Sequence, residues 1–204
     1  MILGLCYGSF LNVLIYRLPN NLSIISPRSF CPNCKVLIPF YRNIPIISFL
    51  TQKGKCFNCY NKISMQYPAI EALTGFLWFY FSFITIGKLN TFDSILHLSF
   101  SITMISFLIP LAVIDYKYLY FPYSLILPLI TISISFSFYE LIYEENLDSI
   151  IGVLVSIIFM STTYLITKIY LIMQKRQEES PLGIGDILLM IPLSIWIGPV
   201  GIIC

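Results

Sequence analysis

The chain has 204 residues, 57% of them hydrophobic and only 11% charged, with a mean hydropathy of +0.84. A water-soluble domain carries roughly 25% charged residues, so a soluble globular enzyme is excluded and a lipid-embedded chain is expected. The net charge of +2 says little as a sum; its distribution along the chain says more.

Met1–Tyr16 is apolar and about one span long if the bilayer thins, since a full span needs roughly 20 residues. No basic residue precedes this run and Arg17 follows it, so a secretory signal is not expected. Gly4 and Gly8 have the small-xxx-small spacing that lets membrane helices approach closely. On so short a run, chance is the simpler reading.

Arg17–Tyr67 is the long polar segment. It carries Arg17, Arg28, Lys35, Arg42, Lys53, Lys55 and Lys62 and no acid. Pro19, Pro27, Pro32, Pro39 and Pro45 break it into turns and short strands. Too short and polar to fold on an apolar core, it needs a staple.

Five more apolar runs follow, at Ala69–Gly87, Ser94–Ile114, Tyr123–Tyr143, Ser149–Met173 and Ile187–Cys204. Their hydrophobic residues cover all faces, which is the pattern of a span rather than of an amphipathic surface helix. Pro110, Pro128 and Pro192 fall inside them, as bundles in lipid tolerate. The expected fold is an all-α membrane protein: a polytopic bundle of about six transmembrane helices with a small cytoplasmic zinc-binding element. Eleven of the twelve Lys and Arg fall in the segments around Arg17–Tyr67, Asp115 and Gln174–Asp186 or at adjoining helix ends, Lys88 being the exception. The positive-inside rule then puts those segments in the cytoplasm. Asp93, Glu144, Glu145 and Asp148 fall on the opposite side as solvated acids.

Six cysteines are too few for a disulfide scaffold. Four of them form Cys31-Pro-Asn-Cys34 and Cys56-Phe-Asn-Cys59, two tight turns that each aim a pair of thiolates at one point. Together they suit a closed, structural, tetrahedral zinc site. A redox pair or reduced free thiols are the alternatives; no thioredoxin-like βαβ pattern surrounds either pair. Cys6 and Cys204 lie in apolar runs and are expected as buried, inert thiols.

The stretch PLGIGDILLM (Pro181–Met190) puts Asp186 at the start of the last apolar run, with Gly183 and Gly185 on the approach. LAVIDYKYLYFP puts Asp115 at the edge of another. An acid entering a membrane is costly and is by default functional. If both edges face one side of the bilayer, the two carboxylates meet and can activate a water against a peptide bond. Asp186 as a helix cap and Asp115 as a solvated acid beside Lys117 remain open. Glu71 has the same ambiguity and is expected to pair with a basic residue of the polar segment. His97, alone in mid-span, reads as a hydrogen-bonded packing residue. No histidine–acid arrangement supports a serine protease.

Residues GSFLNVLIYRLP (Gly8–Pro19), the cysteine segment followed by YPAIEALTG (Cys31–Gly75), Asp115 with Pro122, and GIGD at 183–186 together resemble the type IV prepilin peptidases. The resemblance covers most of the chain, with its motifs in order. It implies an intramembrane aspartic peptidase with a four-cysteine zinc element, embedded in the plasma (inner) membrane, that cuts the leader of prepilin-like proteins on the cytoplasmic side. Many members of that family also methylate the new amino terminus with S-adenosylmethionine. By this resemblance Asp115 and Asp186 are the catalytic pair, and Cys31, Cys34, Cys56 and Cys59 are the zinc ligands. Residues 1–16 are the first helix, 17–67 the zinc segment linked to methylation, and 68–204 the five-helix peptidase domain. Expected partners are prepilin-like substrates, the lipid bilayer and pilus or secretion assembly proteins; nucleic acid is not among them.

The chain departs from the family at Leu188, where a lysine is usual, and at Pro122-Tyr123, where Pro-Asp is usual. It also shows six spans where eight are common. A truncated or degenerate relative that binds pilin-like or assembly proteins without cutting them is therefore the first rival reading. A transporter-like bundle is the second, disfavoured because no internal repeat is visible and the acids sit at the bilayer edge. A working peptidase is expected to hold the two carboxyl groups within about 10 Å of each other, facing one cavity open to the cytoplasm.

Overall fold

The structure, a computed structural model, describes residues 1–85, 92–174 and 182–203. Lys88, Lys175, Arg176, Pro181 and Cys204, all used in the sequence reading, lie outside the described residues. The described chain is helical, and its polar segment holds two isolated antiparallel bridges, Phe30 with Leu37 and Lys55 with Lys62, in place of the expected short strands. It divides into two compact units, Met1–Pro122 and Tyr123–Cys204.

The first unit contains α1 (Ile2–Arg17), a single 3-10 turn (Phe40–Arg42), the short α2 (Ile47–Thr51), α3 (Gln66–Thr85) and α4 (Phe92–Tyr118). Helix α1 packs on α3 and α4, and α3 on α4. Leu11, Ile15, Met104, Leu111 and Ile114 form the fully buried core between them. Helix α3 begins three residues before the apolar run because Pro68 falls in its first turn, where a missing N–H costs no helical bond. Helix α4 continues a turn beyond its apolar run, through Asp115, and ends where Leu119 turns to φ 50.

The Gly4–Gly8 spacing is a packing device and not chance. A Cβ added to Gly4 would lie 2.9 Å from the Gly75 Cα, and one added to Gly8 would lie 2.7 Å from the Glu71 Cα. Helices α1 and α3 therefore meet backbone to backbone. Tyr7 packs its ring on Trp78 across the same seam, with centroids 5.2 Å apart. Trp78 also donates to the Ser106 hydroxyl at 3.3 Å, tying α3 to α4.

The second unit contains α5 (Tyr123–Tyr143), α6 (Asp148–Met173) and α7 (Ile184–Ile203). Helix α7 packs on both α6 and α5. A small residue again sets the approach, because a Cβ on Gly152 would lie 2.6 Å from the Ser194 carbonyl oxygen. The hydroxyls of Ser137 and Ser149 pair at 2.8 Å. Gly198, at φ 72 and ψ −177, breaks the helical path of α7 just before Pro199.

Helices α4, α5 and α6 are long and apolar enough to cross a membrane; α1 and Ile184–Pro199 are shorter apolar helices. Only 11% of the apolar window of α6 is buried by the chain, so most of that helix is left to face lipid.

Replacing Gly8 by leucine drives a side chain into the α3 backbone. Overpacking of this kind costs about 1–3 kcal/mol. The G8L chain is expected to melt at a lower temperature in detergent, followed by Trp78 fluorescence, and to become more sensitive to protease in the polar segment.

Candidate metal centre and catalytic acids

The two cysteine turns are built alike. In the first, Cys31 N–H donates to the Val36 carbonyl at 3.0 Å and Lys35 N–H returns to the Cys31 carbonyl at 2.9 Å. In the second, Cys56 N–H donates to Asn61 at 2.9 Å and Tyr60 N–H returns to Cys56 at 3.1 Å. The residue after each second cysteine, Lys35 or Tyr60, sits at positive φ, 59 and 57 respectively. That unusual conformation turns the chain back so that both thiols of a pair face inward. The bridges Phe30–Leu37 and Lys55–Lys62 close the base of each turn.

Across the turns, Cys31 Sγ lies 3.9 Å from Cys59 Sγ, and Cys34 Sγ lies 4.0 Å from Cys56 Sγ. All four lie within 4.8 Å of one another, close enough to hold a metal ion. A tetrahedron with bonds of about 2.3 Å to zinc has sulfur–sulfur edges of about 3.8 Å, so these residues fit that ion. The electrostatics agree. The Val36 backbone N–H, helped by the Asn58 side chain and opposed by burial, holds the Cys34 thiol down to about 6. The Asn61 backbone N–H pulls on Cys59, but burial and the three neighbouring sulfurs carry it up to about 11. Four such thiols cannot all ionise without a cation among them.

Around this centre the segment is held by side chains acting on backbone. Arg17, 4% exposed at the end of α1, donates to the carbonyls of Ser23 at 2.7 Å, Pro27 at 2.6 Å and Arg28 at 3.3 Å. Glu71, 7% exposed on α3, was expected to pair with a basic residue and does not. Its carboxylate accepts the Ile46 backbone N–H at 2.7 Å and the Ser9 hydroxyl. Ile46 stands at φ 60, a strained conformation for a β-branched residue, so the acid is used to hold a turn.

The two aspartates belong to different units. Asp115 is half-buried in the last turn of α4, and its carbonyl accepts the Leu119 N–H at 2.8 Å. Lys117, the expected neighbour, is bonded to the Gln66 side chain. Asp186 is exposed in the first turn of α7. Its Oδ2 lies 2.9 Å from where a Gly183 Cβ would stand, so the carboxylate folds back over the helix start, and a side chain at Gly183 would make it shift. This is a position where the helix dipole favours a negative charge.

Two other expectations are corrected. Cys6 is exposed, on a face of α1 the chain leaves uncovered. His97 lies in the second turn of α4, near its start and not at mid-span.

Comparison with known proteins decides the family. A model described as the bacterial peptidase A24 N-terminal domain matches residues 2–85, and one described as the type IV leader peptidase family matches residues 102–204. The chain belongs to the type IV leader peptidase family. The first match contains all four cysteines and Glu71, and the second contains both aspartates. A prepilin leader peptidase/N-methyltransferase of Myxococcus xanthus is 35% identical over 91% of the chain and 51% of its own length. One of Neisseria gonorrhoeae is 33% identical over 97% of the chain and 72% of its length. One of Bacillus subtilis is 42% identical over 59% of the chain and 46% of its length. The chain thus spans about half the length of the first of these relatives. No solved structure matches.

For this leader peptidase relative, Cys31→Ser removes one of four converging ligands. In a small metal domain, binding energy is folding energy. The purified variant is expected to carry little or no metal by elemental analysis, against one ion per parent chain. It should also be cut faster by protease between Arg17 and Tyr67.

Proposed function

We propose that this chain is an aspartic prepilin leader peptidase of the inner membrane, with Asp115 and Asp186 as its catalytic pair. The observation that carries the reading is the family match over both parts of the chain, with each aspartate at the terminal turn of an apolar helix. In this reading the bundle has six spans, and the basic polar segment and both aspartates face the cytoplasm. The Cys31, Cys34, Cys56 and Cys59 centre holds zinc as a structural staple, and no chemistry passes through it. The domains are residues 1–16, 17–67 and 68–204, as read from the sequence.

The chemistry asks for two carboxylates that act as one unit. One takes a proton from the attacking water while the other gives its proton to the peptide carbonyl oxygen; on collapse of the tetrahedral diol the first passes its proton to the leaving amine and the second takes one back from the diol. Gly183 leaves the Asp186 carboxylate free to swing from the helix start toward a substrate. The substrate is a prepilin-like protein, whose basic leader stays at the cytoplasmic face while its apolar stem lies in the bilayer. Methylation of the freed amino terminus with S-adenosylmethionine is the second activity of this reading, drawn from the relatives' names.

A non-catalytic relative that binds pilin-like or assembly proteins is the second reading. Leu188 and Tyr123, where the family usually carries Lys and Asp, favour it.

Co-expression with a candidate prepilin separates the two. Asp115→Asn and Asp186→Asn keep shape and remove the ionisable group. Each is expected to lower leader removal at least a hundredfold, the scale of lost general acid–base catalysis, with the protein still accumulating in the membrane. No cleavage by the parent chain, or full cleavage by either variant, would overturn the aspartic reading.

A further inference from the structure

Three helices of the first unit have polar ends on one side. Arg17 closes α1, Gln66 opens α3, and Lys117 in the last turn of α4 bonds the Gln66 side chain. The apolar run of each helix stops within a few residues of these ends. In a bilayer they mark its surface. The polar segment does not stay outside that surface. Gly8 meets α3 backbone to backbone at Glu71, and Glu71 accepts the Ile46 amide at 2.7 Å. Glu71 lies five residues inside Gln66, about 7.5 Å along α3, and Gly8 nine residues inside Arg17, about 14 Å along α1. A glutamate side chain leans toward the start of its helix. That brings Ile46 up to the boundary of headgroups and acyl chains, where interfacial segments sit about 5–10 Å deep.

The backbone at that depth is closed on itself. Pro45, Ile46 and Ile47 form a γ-turn of the rare positive-φ kind, with Ile46 at φ 60 and ψ −51. Ile47 N–H donates to the Pro45 carbonyl at 2.6 Å, Ser48 N–H to Ile44 at 3.0 Å and Leu50 N–H to Ile46 at 3.0 Å. The Gln52 side chain covers the Arg42 and Ser48 carbonyls at 3.4 and 3.0 Å. The Ile46 amide, which the turn does not close, is the one Glu71 takes. Backbone removed from water must be closed in this way. The side chains agree. From Asn43 to Gln52 the segment carries no charge, and its cations resume at Lys53. Ile44 is 45% exposed, Ile47 57% and Leu50 66%. Ile44 lines one cavity with Cys6 and Phe10, which are also exposed, so this patch continues the uncovered face of α1.

We propose that residues 44–50 are a re-entrant turn seated in the cytoplasmic leaflet, with Ile44, Ile47 and Leu50 against lipid acyl chains. Depth, the absence of charge and continuity with the uncovered face of α1 all select the bilayer as the occupant. Tyr41 and Arg42, whose guanidinium stands 5.7 Å from the Tyr41 ring centroid, then lie at headgroup level, where such side chains anchor. Lys53 returns the chain to water. The polar segment is thus held to the membrane at a third point, between its junctions with α1 and α3. The inference rests on the placement of α1 and α3 in lipid proposed above, and not on the roles of the two aspartates.

The test is photocrosslinking of the full zinc-loaded chain in nanodiscs of phosphatidylethanolamine and phosphatidylglycerol. Benzoylphenylalanine is placed singly at Ile47, Leu50, Phe10 or Tyr60, and acyl-chain adducts are measured by mass spectrometry. Phe10 reports whether α1 lies in lipid. Tyr60, 73% exposed in the second cysteine turn, is the reference outside the bilayer. Adducts at Ile47 and Leu50 are expected at the Phe10 level and about tenfold above Tyr60, the preference that burial of one aliphatic side chain gives. Both positions are exposed and should accept the probe; if one variant does not accumulate, the other carries the test. Adducts at Phe10, with Ile47 and Leu50 no higher than Tyr60, overturn the re-entrant turn alone. Crosslinks from Ile47 and Leu50 to protein in place of lipid, whether to a second copy or to this chain, overturn it as well. Absence of adducts at Phe10 too overturns the placement of α1 in lipid and the turn with it. Leader cleavage is scored separately on the parent chain, so failure of the peptidase reading is distinguishable from failure of this one.

Discussion

Close backbone contact between helices is the constraint from which the rest of this structure follows. In lipid the side-chain hydrophobicity that drives folding in water gives little preference for one helix neighbour over another. Small residues and short polar bonds must choose instead. Gly4, Gly8 and Gly75 do this between α1 and α3, and Gly152 against the Ser194 carbonyl does it between α6 and α7. The α1–α3 seam also fixes the chemistry beside it. It places Ser9 and Asn12 on the side of α1 that meets Tyr67 and Glu71. A larger residue at Gly8 would part Asn12 from the Tyr67 carbonyl and Ser9 from Glu71.

The polar segment has almost no apolar core, and it is organised by charges used against backbone. Arg17 gathers three carbonyls, and Glu71 holds one amide of a strained turn. Neither forms an ion pair among the described residues. This economy suits a segment with seven cations and no acid, where ion pairs within the segment are not available. Stacking takes up part of the remaining charge, as Arg28 over Phe40 at 3.5 Å shows.

Much of this was legible in the sequence. The Tyr123–Tyr143 run coincides with α5, and the two CxxC pairs do converge. What could not be read is which residues face each other. Runs that are apolar on every side carry no periodic signal, so Gly4 and Gly8 looked accidental and Cys6 looked buried. Glu71 invited a basic partner from the polar segment, and Asp115 its neighbour Lys117. The structure gives Glu71 a backbone amide and gives Lys117 the Gln66 side chain. Asn12 sat inside a quoted motif, GSFLNV, yet nothing in that string shows that its oxygen is buried and unmatched. The extra helical turn at Asp115 was hidden because Tyr116, Lys117 and Tyr118 end the apolar pattern before they end the helix.

The division of the four sulfurs between two turns has a consequence for synthesis. Because the four sulfurs converge on one point from two separate turns, one turn alone supplies half of the ligands. A ribosome that has made only the first pair offers an ion two ligands on a loose chain. The ligand set is complete once Cys59 has been made, a few residues before the start of α3. The order of the chain thus completes the four-sulfur set just before the helix on which α1 packs.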